Sequence, residues 1–376
     1  MKFCILSRGV PDEKSPLNGR YEWAQAELLT ECGFDVTFLA VDLRRFHWRE
    51  KIGYSRFEKH GIDVVLYRIP IGKAKKNFLI KLRRLVCVHF FNKMKKNNEL
   101  PDVVWVYFAR SFGEIAYFVK RKLQIPYAIS EYETRLLDYN CSKKETNKLC
   151  RIYSNALLLF APNGYFKDKL NAKFEVGFNT LYPFVKVEES QKQENKNYVF
   201  LCISPLTVES RIDVVIRAFA KITELIENVK LTIVGNGDEY RRLLELSVTL
   251  KLSNKVNFTR LLDGISLHEY MNNSNCLVST LKKENYGVLY LEAFAHGLPC
   301  IAVKNKVAID LIKENVGITV NNDVTSVANG MFKVYSERMK FSPTLIKKYA
   351  FDNFSDVAIC KKISFLLKNN LASFDN

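Results

Sequence analysis

The chain has 376 residues, of which 48% are hydrophobic and 26% are charged, and its formal net charge is +17. Its length predicts two or three domains with a sizeable core, and no apolar run reaches the roughly 18 residues that a transmembrane helix needs. The nine cysteines are an odd number without C-x2-C spacing. We therefore expect neither a disulfide framework nor a zinc site, and a reducing cytoplasm fits best.

Strands alternate with helices along the first half of the chain. Apolar residues 3–6 predict a strand, helical spacing predicts a helix over 21–31, and residues 34–40 predict the next strand. Further strands are predicted at 102–107, 125–132 and 156–161, with helices at 113–123 and 163–170. This order is typical of an α/β domain with a parallel sheet.

Residues 73–98 carry nine lysines and arginines and no acid. The apolar residues between them allow a helix that is apolar on one side and cationic elsewhere, as in helices that lie in membrane interfaces. We expect it to dock on an anionic membrane surface, although a core-packed helix with a solvated basic face explains the same pattern. The expected membrane-docking residues are Lys75, Lys76, Lys81, Arg83, Arg84 and Lys93.

A polar run at 188–197 without apolar periodicity predicts a linker between two domains. After it, strands are predicted at 198–203 and 230–234, with a helix at 213–226 between them. A strand at 275–278, a charged loop at 282–287, a helix at 288–296 and a strand at 300–303 follow. Residues 349–371 predict terminal helices.

Two carboxylates mark this last strand–loop–helix unit, Glu284 in the loop and Glu292 on the helix, with seven residues between them. If the helix begins near Gly287, its unpaired N–H groups and its dipole form a site for phosphate. Carboxylates beside a phosphate accept hydrogen bonds from neutral hydroxyls, and a sugar-diphosphate-nucleoside has hydroxyls on both sides of its charge. The simpler interpretation is that both acids are solvated ends of an α/β unit.

The run Glu284-Asn285-Tyr286-Gly287, followed by residues 292–299 (EAFAHGLP), resembles the E-x7-E signature of retaining glycosyltransferases with the GT-B fold, the group 1 or family 4 class. The resemblance covers roughly residues 198–320. It implies two Rossmann-like, doubly wound parallel-sheet α/β domains that face each other across a cleft. An acceptor- and membrane-facing domain would span 1–187, a nucleotide-sugar-binding domain 198–345, and helices at 346–376 would cross back to the first domain.

The resemblance also implies roles for individual residues. Glu284 would contact the transferred sugar as the catalytic residue, and Glu292 would hold the ribose. Tyr132 stands where the family commonly has a histidine that touches the donor sugar. The other implied donor-binding residues are Gly19 in the first loop, Tyr286, Gly287, Val288 and Leu289 at the helix start, and Arg260 and Leu261 beside the nucleobase.

The chain departs from this family in the loop after the first strand of the second domain. The family usually places there an arginine and a lysine that hold the diphosphate, and Pro205 and Ser210 take their places. Arg211 is the expected substitute, because a guanidinium can pair with phosphate through two hydrogen bonds. The other candidate cations are Arg8, Arg20 and Arg110.

The resemblance and the basic segment together predict a retaining, metal-independent hexosyltransferase without a cofactor, because the nucleotide-sugar is a substrate. It would act on a polysaccharide or lipid-linked acceptor in cell-surface polysaccharide biosynthesis, in the cytoplasm on the inner face of the plasma membrane. None of the five histidines has metal-ligand spacing. Pro205 and Ser210 leave open a catalytically impaired relative that binds a nucleotide or a partner. Nucleic-acid binding is the weakest alternative, since no RNA or DNA module signature is present.

Overall fold

The computed structural model of the chain describes residues 1–13, 15–43, 52–71, 76–138, 141–187, 196–259 and 264–371. Its contacts divide the chain into two compact units, Met1–Leu181 with Ile359–Asn376, and Tyr182–Ala358. Most of the linker predicted over 188–197 lies outside the described residues. Within the described ranges, no helix combines the length and the apolar character that crossing a membrane requires.

The first unit alternates strands and helices, as its sequence predicts. Its strands are β1 (Lys2–Ser7), β2 (Asp35–Asp42), β3 (Gly53–Lys59), β4 (Ile62–Arg68), β5 (Val103–Tyr107), β6 (Tyr127–Ser130), β7 (Leu158–Ala161) and β8 (Asn179–Thr180). Its helices are α1 (Arg20–Glu31), α2 (Lys76–Lys96), α3 (Glu114–Leu123), α4 (Arg135–Asp138), α5 (Lys143–Ser154) and α6 (Gly164–Phe174).

These strands form one sheet in the order β3-β4-β2-β1-β5-β6-β7-β8, and its neighbouring strands are parallel except for β3 and β4. The antiparallel pair departs from the purely parallel sheet that the sequence predicts. His60 and Gly61 join the two strands with φ angles of 54° and 73°, as a two-residue hairpin turn requires. So short a connection has no room for the crossover that a parallel pair needs.

The second unit has the same alternation. Its strands are β9 (Tyr198–Ile203), β10 (Val229–Val234), β11 (Val256–Thr259), β12 (Cys276–Ser279), β13 (Cys300–Val303) and β14 (Gly317–Val320). Its helices are α7 (Ile212–Leu225), α8 (Tyr240–Thr249), α9 (Gly264–Asn272), α10 (Val288–Ala295), α11 (Lys306–Leu311), α12 (Val324–Ser336) and α13 (Pro343–Phe354). The last helix, α14 (Asp356–Leu371), begins in this unit, and its residues from Ile359 onward belong to the first unit.

The second sheet is parallel throughout, in the order β11-β10-β9-β12-β13-β14. Every residue of β12 and β13 is buried, as expected for strands that helices cover on both faces. The chain runs outward from β9 to β11 and then returns to β12 beside β9, so the strand order reverses between β9 and β12. Ligands of such sheets bind at the carboxyl ends of the strands at this switch point.

The cysteines follow the expected pattern only in part. Five of them are buried thiols that act as small core residues, namely Cys4, Cys87, Cys202, Cys276 and Cys300. Cys32, which follows α1, and Cys360 of α14 instead form a disulfide, with Cα atoms 5.5 Å apart. The expectation that the cysteines form no disulfide is therefore wrong for this pair. The two residues are 328 positions apart, so spacing carried no signal of their contact.

Candidate active site

The loops that follow β9, β10 and β12 meet at the switch point of the second sheet. Thr280, just after β12, donates a 2.6 Å hydrogen bond from its hydroxyl to the carbonyl oxygen of Ser210 in the loop after β9. Gly235, just after β10, packs against the same loop, because a Cβ atom at this position would overlap the carbonyl oxygen of Ser204. The three loops therefore form one edge at which a ligand can bind.

Glu284 folds its carboxylate toward the start of α10. Its Oε1 atom accepts hydrogen bonds from the backbone N–H groups of Asn285, Tyr286 and Gly287 at 3.1, 3.2 and 3.0 Å. Gly287 precedes the helix with a φ of 79°, and a Cβ atom there would overlap the side chain of Leu311. The first-turn amides of α10 have no acceptor within the helix. The helix start therefore presents hydrogen-bond donors and an anionic acceptor side by side.

Helix α10 ends at the predicted glycine. Gly297 has a φ of 70°, and its N–H group donates to the carbonyl oxygen of Phe294 at 2.9 Å. The N–H group of Leu298 donates to the carbonyl oxygen of Ala293 at 2.8 Å. These two bonds define a Schellman motif. The motif places His296 at the C-cap, one helical turn after Glu292.

Glu292 lies beside two histidines. Glu292, His296 and His268 of α9 each offer one ligand atom, and these atoms lie within 4.8 Å of one another. Burial raises the pKa of the Glu292 carboxyl, and the nearby His268 ring opposes that rise. Sequence spacing missed this group because His268 comes from another helix. The one local signal is the four-residue spacing of Glu292 and His296, which places both on one helix face.

Arg211, the expected substitute for the missing cations, pairs with an acid in the first turn of α7. Its Nε atom lies 3.3 Å from Oδ1 of Asp213, and its side chain is 41% exposed. Ser210 is buried, and its hydroxyl oxygen lies 3.2 Å from that of Thr207. The position that the resemblance assigns to a cation thus holds a serine that braces the loop, and Arg211 must leave Asp213 or share it to bind a phosphate.

The remaining predicted donor-binding residues of this unit lie around the start of α10 or outside the described residues. Val288 is exposed, and Tyr286 and Leu289 are partly buried. Arg260 and Leu261 lie outside the described residues, directly after the end of β11.

In the first unit, Gly19 lies at the start of α1 and Tyr132 lies just after the end of β6. Gly19 precedes α1 with a φ of 77°, and a Cβ atom there would overlap the carbonyl oxygen of Gly9. The Tyr132 side chain, 7% exposed, follows β6, and its ring lies 5.8 Å from that of Tyr21 and 5.5 Å from that of Tyr107. The glycine is required for loop packing, and the tyrosine belongs to an aromatic cluster.

Two of the candidate cations of the first unit, Arg110 and Arg8, have local partners. Arg110 lies 2.6 Å from a Glu133 carboxylate oxygen and 2.8 Å from a Glu145 carboxylate oxygen. Arg8 lies over the ring of Phe108, 5.5 Å from its centroid. Two carboxylates already neutralise Arg110, which weakens the prediction that it compensates for the missing diphosphate cations.

A buried acid that the sequence analysis did not single out lies at the end of β6. Glu131 is fully buried and accepts hydrogen bonds from the N–H groups of Ala109 and Glu133, each at 3.0 Å, and from the Tyr153 hydroxyl at 2.8 Å. Burial outweighs these donors and raises the pKa of Glu131 to about 7. Its contact with Ala109 ties β6 to the π-helical turn Ala109–Gly113 after β5.

Helix α2 exposes only part of its predicted docking face. The exposed docking residues are Lys81, Arg84 and Lys93. Arg83 is partly buried, with its guanidinium 5.9 Å from the centroid of the Phe112 ring, and burial lowers its pKa. Arg83 therefore packs on the Phe112 ring and is not an exposed cation. Lys75 and the Lys76 side chain lie outside the described residues.

Residues 185–352 match the model of a family described as glycosyl transferases group 1. N-acetyl-alpha-D-glucosaminyl L-malate synthase of Bacillus anthracis is 31% identical over 141 residues, which are 37% of this chain and 32% of that protein. Alpha-monoglucosyldiacylglycerol synthase of Acholeplasma laidlawii is 24% identical over 277 residues, 65% of this chain and 69% of that protein. The matches to the first three curated relatives span between 32% and 42% of those proteins.

Solved structures resemble the whole chain. A glycosyltransferase from Rickettsia africae has a TM-score of 0.71 at 16% identity and covers 98% of each chain. The Anabaena protein Alr3699/HepE in complex with UDP has a TM-score of 0.69 at 15% identity, with coverage of 98% of this chain and all of that one. At such low identity these likenesses show the fold, and they confirm the GT-B class that the sequence predicts.

Proposed function

Because residues 185–352 match the model of the glycosyl transferases group 1 family, we propose that this protein is a glycosyltransferase that moves a sugar from a nucleotide-sugar donor to a glycan or lipid-linked acceptor. The observation that carries the proposal is the Glu284 carboxylate beside the amides at the start of α10, at the switch point of the second sheet. That placement combines an acceptor for sugar hydroxyls with donors for phosphate.

The proposed donor pose follows from the charges at this edge. The positive end of the α10 dipole favours the diphosphate, whose oxygens accept from first-turn amides. Glu284 accepts a hydrogen bond from a hydroxyl of the transferred sugar, and Glu292 accepts from the ribose. Oε1 of Glu284 accepts from three amides, so the hydroxyl of the transferred sugar either bonds to Oε2 or replaces one of those amides.

The proposed reaction retains the anomeric configuration. The bond between the anomeric carbon and the diphosphate oxygen breaks, and the acceptor oxygen forms its bond to the same face of that carbon. The acceptor proton passes to the departing phosphate oxygen, so the atoms balance without a separate protein base or a metal. Negative charge builds on the leaving diphosphate, and the proposal assigns its stabilisation to the amides at the start of α10 and to Arg211.

A thermal-shift screen of UDP- and GDP-sugars tests donor binding. A donor present at 100 times its dissociation constant stabilises the folded protein by about 2.7 kcal/mol, which corresponds to a rise of roughly 5–10 °C in the melting temperature of a domain of this size. We expect that rise for at least one nucleotide-sugar, followed by its turnover with an acceptor. The proposal would be contradicted if no donor stabilised the protein and no donor was turned over.

The second candidate function is a catalytically impaired subunit that binds a nucleotide or a partner. Two observations favour it, the serine that braces the diphosphate loop and the pairing of Arg211 with Asp213. It predicts stabilisation by a nucleotide-sugar without transfer or hydrolysis, whereas the enzyme consumes the donor.

We also propose that α2 docks the protein on an anionic membrane surface, as a lipid-linked acceptor would require. Phe78 and Leu85 are 53% and 67% exposed on this helix, and the exposed Lys81 lies between them. Apolar residues that enter the lipid boundary beside cations that face the headgroups are typical of interfacial helices. The name of the relative alpha-monoglucosyldiacylglycerol synthase supports a lipid acceptor.

Vesicle co-sedimentation measures this docking. Each cation near an anionic surface contributes about 1 kcal/mol, so Lys81→Gln with Lys93→Gln is expected to weaken binding to phosphatidylglycerol vesicles about 30-fold. Lys230→Gln, which removes an exposed lysine of β10, is the matched control and is expected to bind like the wild type. The docking would be contradicted if the double variant bound phosphatidylglycerol vesicles as tightly as the wild type does. It would also be contradicted if the wild type bound neutral vesicles as tightly as phosphatidylglycerol vesicles.

A further inference from the structure

We propose that His268, Glu292 and His296 form a binding site for a divalent transition-metal ion such as Zn2+. Each residue contributes one ligand atom, a ring nitrogen from each histidine and a carboxylate oxygen from the glutamate, and these atoms lie within 4.8 Å of one another. Imidazole and carboxylate are common zinc ligands. The site is additional to the proposed transfer reaction, in which no step uses a metal.

The distances are close to those of a metal site. A zinc ion bonds nitrogen and oxygen at about 2.0–2.1 Å, which places tetrahedral ligands about 3.3 Å apart. His268 Nδ1 and His296 Nε2 are 3.0 Å apart, so this pair needs to open by only a few tenths of an ångström. The proton that His268 Nδ1 donates in this contact moves to its other ring nitrogen when a metal binds. The Glu292 carboxylate oxygen lies within 4.8 Å of both nitrogens, so it must approach by at most about 1.5 Å to reach the tetrahedral separation. Three protein ligands then leave one coordination position for water or a ligand.

Two of the three ligands are held in place by the helix. Glu292 and His296 are four residues apart at the end of α10, whose residues Tyr290, Leu291 and Phe294 are buried in the core. His296 Nδ1 lies 2.7 Å from the backbone oxygen of Glu292. Since a carbonyl oxygen only accepts, Nδ1 carries the proton, and Nε2 is the ring atom with a lone pair for a metal. Such an N–H to carbonyl bond is the usual way in which proteins orient a metal-binding histidine.

The surroundings favour a cation. His296 caps the C-terminal end of α10, where the helix dipole is negative. Among the described residues, Glu292 has no lysine or arginine in an ion pair with its carboxylate. His268 is exposed, which gives an ion a path from solvent.

The metal and the donor would compete for one carboxylate. This consequence rests on the proposed function, which assigns Glu292 to the ribose; the metal site itself does not. A bound Zn2+ would occupy the oxygen that the ribose hydroxyls need, and a bound donor would remove one of three metal ligands.

Calorimetric titration of the full chain with Zn2+ tests the site. We expect one ion per chain in the wild type and a dissociation constant raised at least about 10-fold in His268→Ala and in His296→Ala. His268 is exposed, so its replacement should leave the fold intact. The His268→Ala variant therefore tests the site even if the loss of His296, which caps α10, disturbs folding. His89→Ala, which removes an exposed histidine of α2, is expected to bind like the wild type.

A simple hydrogen bond between the two histidines would produce the same contact without a metal. In that case Zn2+ would bind the wild type and His268→Ala with equal affinity, or would not bind in stoichiometric amount, and the inference would be overturned. A second titration tests whether the metal and the donor compete for Glu292. It uses the UDP-sugar that stabilises the protein most, in the presence and absence of Zn2+. An equal dissociation constant for the UDP-sugar under both conditions would show that they do not compete. Failure of every donor to bind would instead count against the proposed function and leave the zinc titration standing.

Discussion

Glu284→Gln is expected to lower the rate of sugar transfer about 100- to 1,000-fold, equivalent to about 2.7–4 kcal/mol of transition-state stabilisation. Glutamine keeps the length and one acceptor oxygen, so the loop can still meet the amides of Asn285 and Gly287. It loses the negative charge that the proposed mechanism places beside the transferred sugar as positive charge develops on the anomeric carbon. The measurement is donor consumption and product formation at saturating donor.

The control for this variant separates chemistry from folding. Glu245→Gln removes an exposed acid of α8 and is expected to leave the rate unchanged. Glu284 also accepts hydrogen bonds from the three amides that precede α10, so the melting temperature of Glu284→Gln should fall slightly, by the amount that the loss of about 1 kcal/mol of hydrogen-bond energy implies. If Glu284→Gln turns over as fast as the wild type, Glu284 takes no part in the reaction.

The stability of the first unit is expected to fall by about 2.5 kcal/mol as the pH rises from 5 to 8, through the titration of Glu131. Burial raises the pKa of this carboxyl from 4.5 to about 7, and each tenfold change in proton affinity corresponds to about 1.36 kcal/mol. Between these two pKa values the folded state holds a proton that the unfolded state has lost, so a rise in pH favours unfolding. This contribution is complete below pH 4.5 and lost above pH 7.

Tryptophan fluorescence during urea unfolding measures this effect in the unit concerned, because all three tryptophans lie within Met1–Leu181. Glu131→Gln is neutral at every pH, and it should lower overall stability while removing most of the difference between pH 5 and pH 8. The Glu133→Gln variant, which changes the adjacent, partly exposed acid, is expected to keep most of that difference. An unchanged pH dependence in Glu131→Gln would show that the buried acid stays ionised.

Much of the candidate site could be predicted from local patterns. Helix α10 begins after Gly287 and ends at Gly297, and both glycines have the positive φ angles that these positions require. Strands 198–203 and 300–303 were predicted residue for residue. These features depend on backbone conformation and on apolar runs within a few residues, so a single sequence records them.

The surroundings of two predicted cations come from elsewhere in the chain. Arg83 was expected on a docking face, and its guanidinium lies over the ring of Phe112. Arg110 was one of three candidate cations for the diphosphate, and Glu133 and Glu145 pair with it. The side-chain types alone could not distinguish a solvated cation from a packed or paired one.

The sequence by itself was enough to predict the alternation of strands and helices and the spacing of Glu284 and Glu292. It also predicted the glycines that precede and follow α10. These properties follow from local backbone preferences and hydrogen bonds. Three other features came only from the folded chain: His268 meets Glu292 and His296, Cys32 meets Cys360, and Glu131 is buried. Burial and contact between distant segments depend on how the elements pack, and packing is a property of the whole fold.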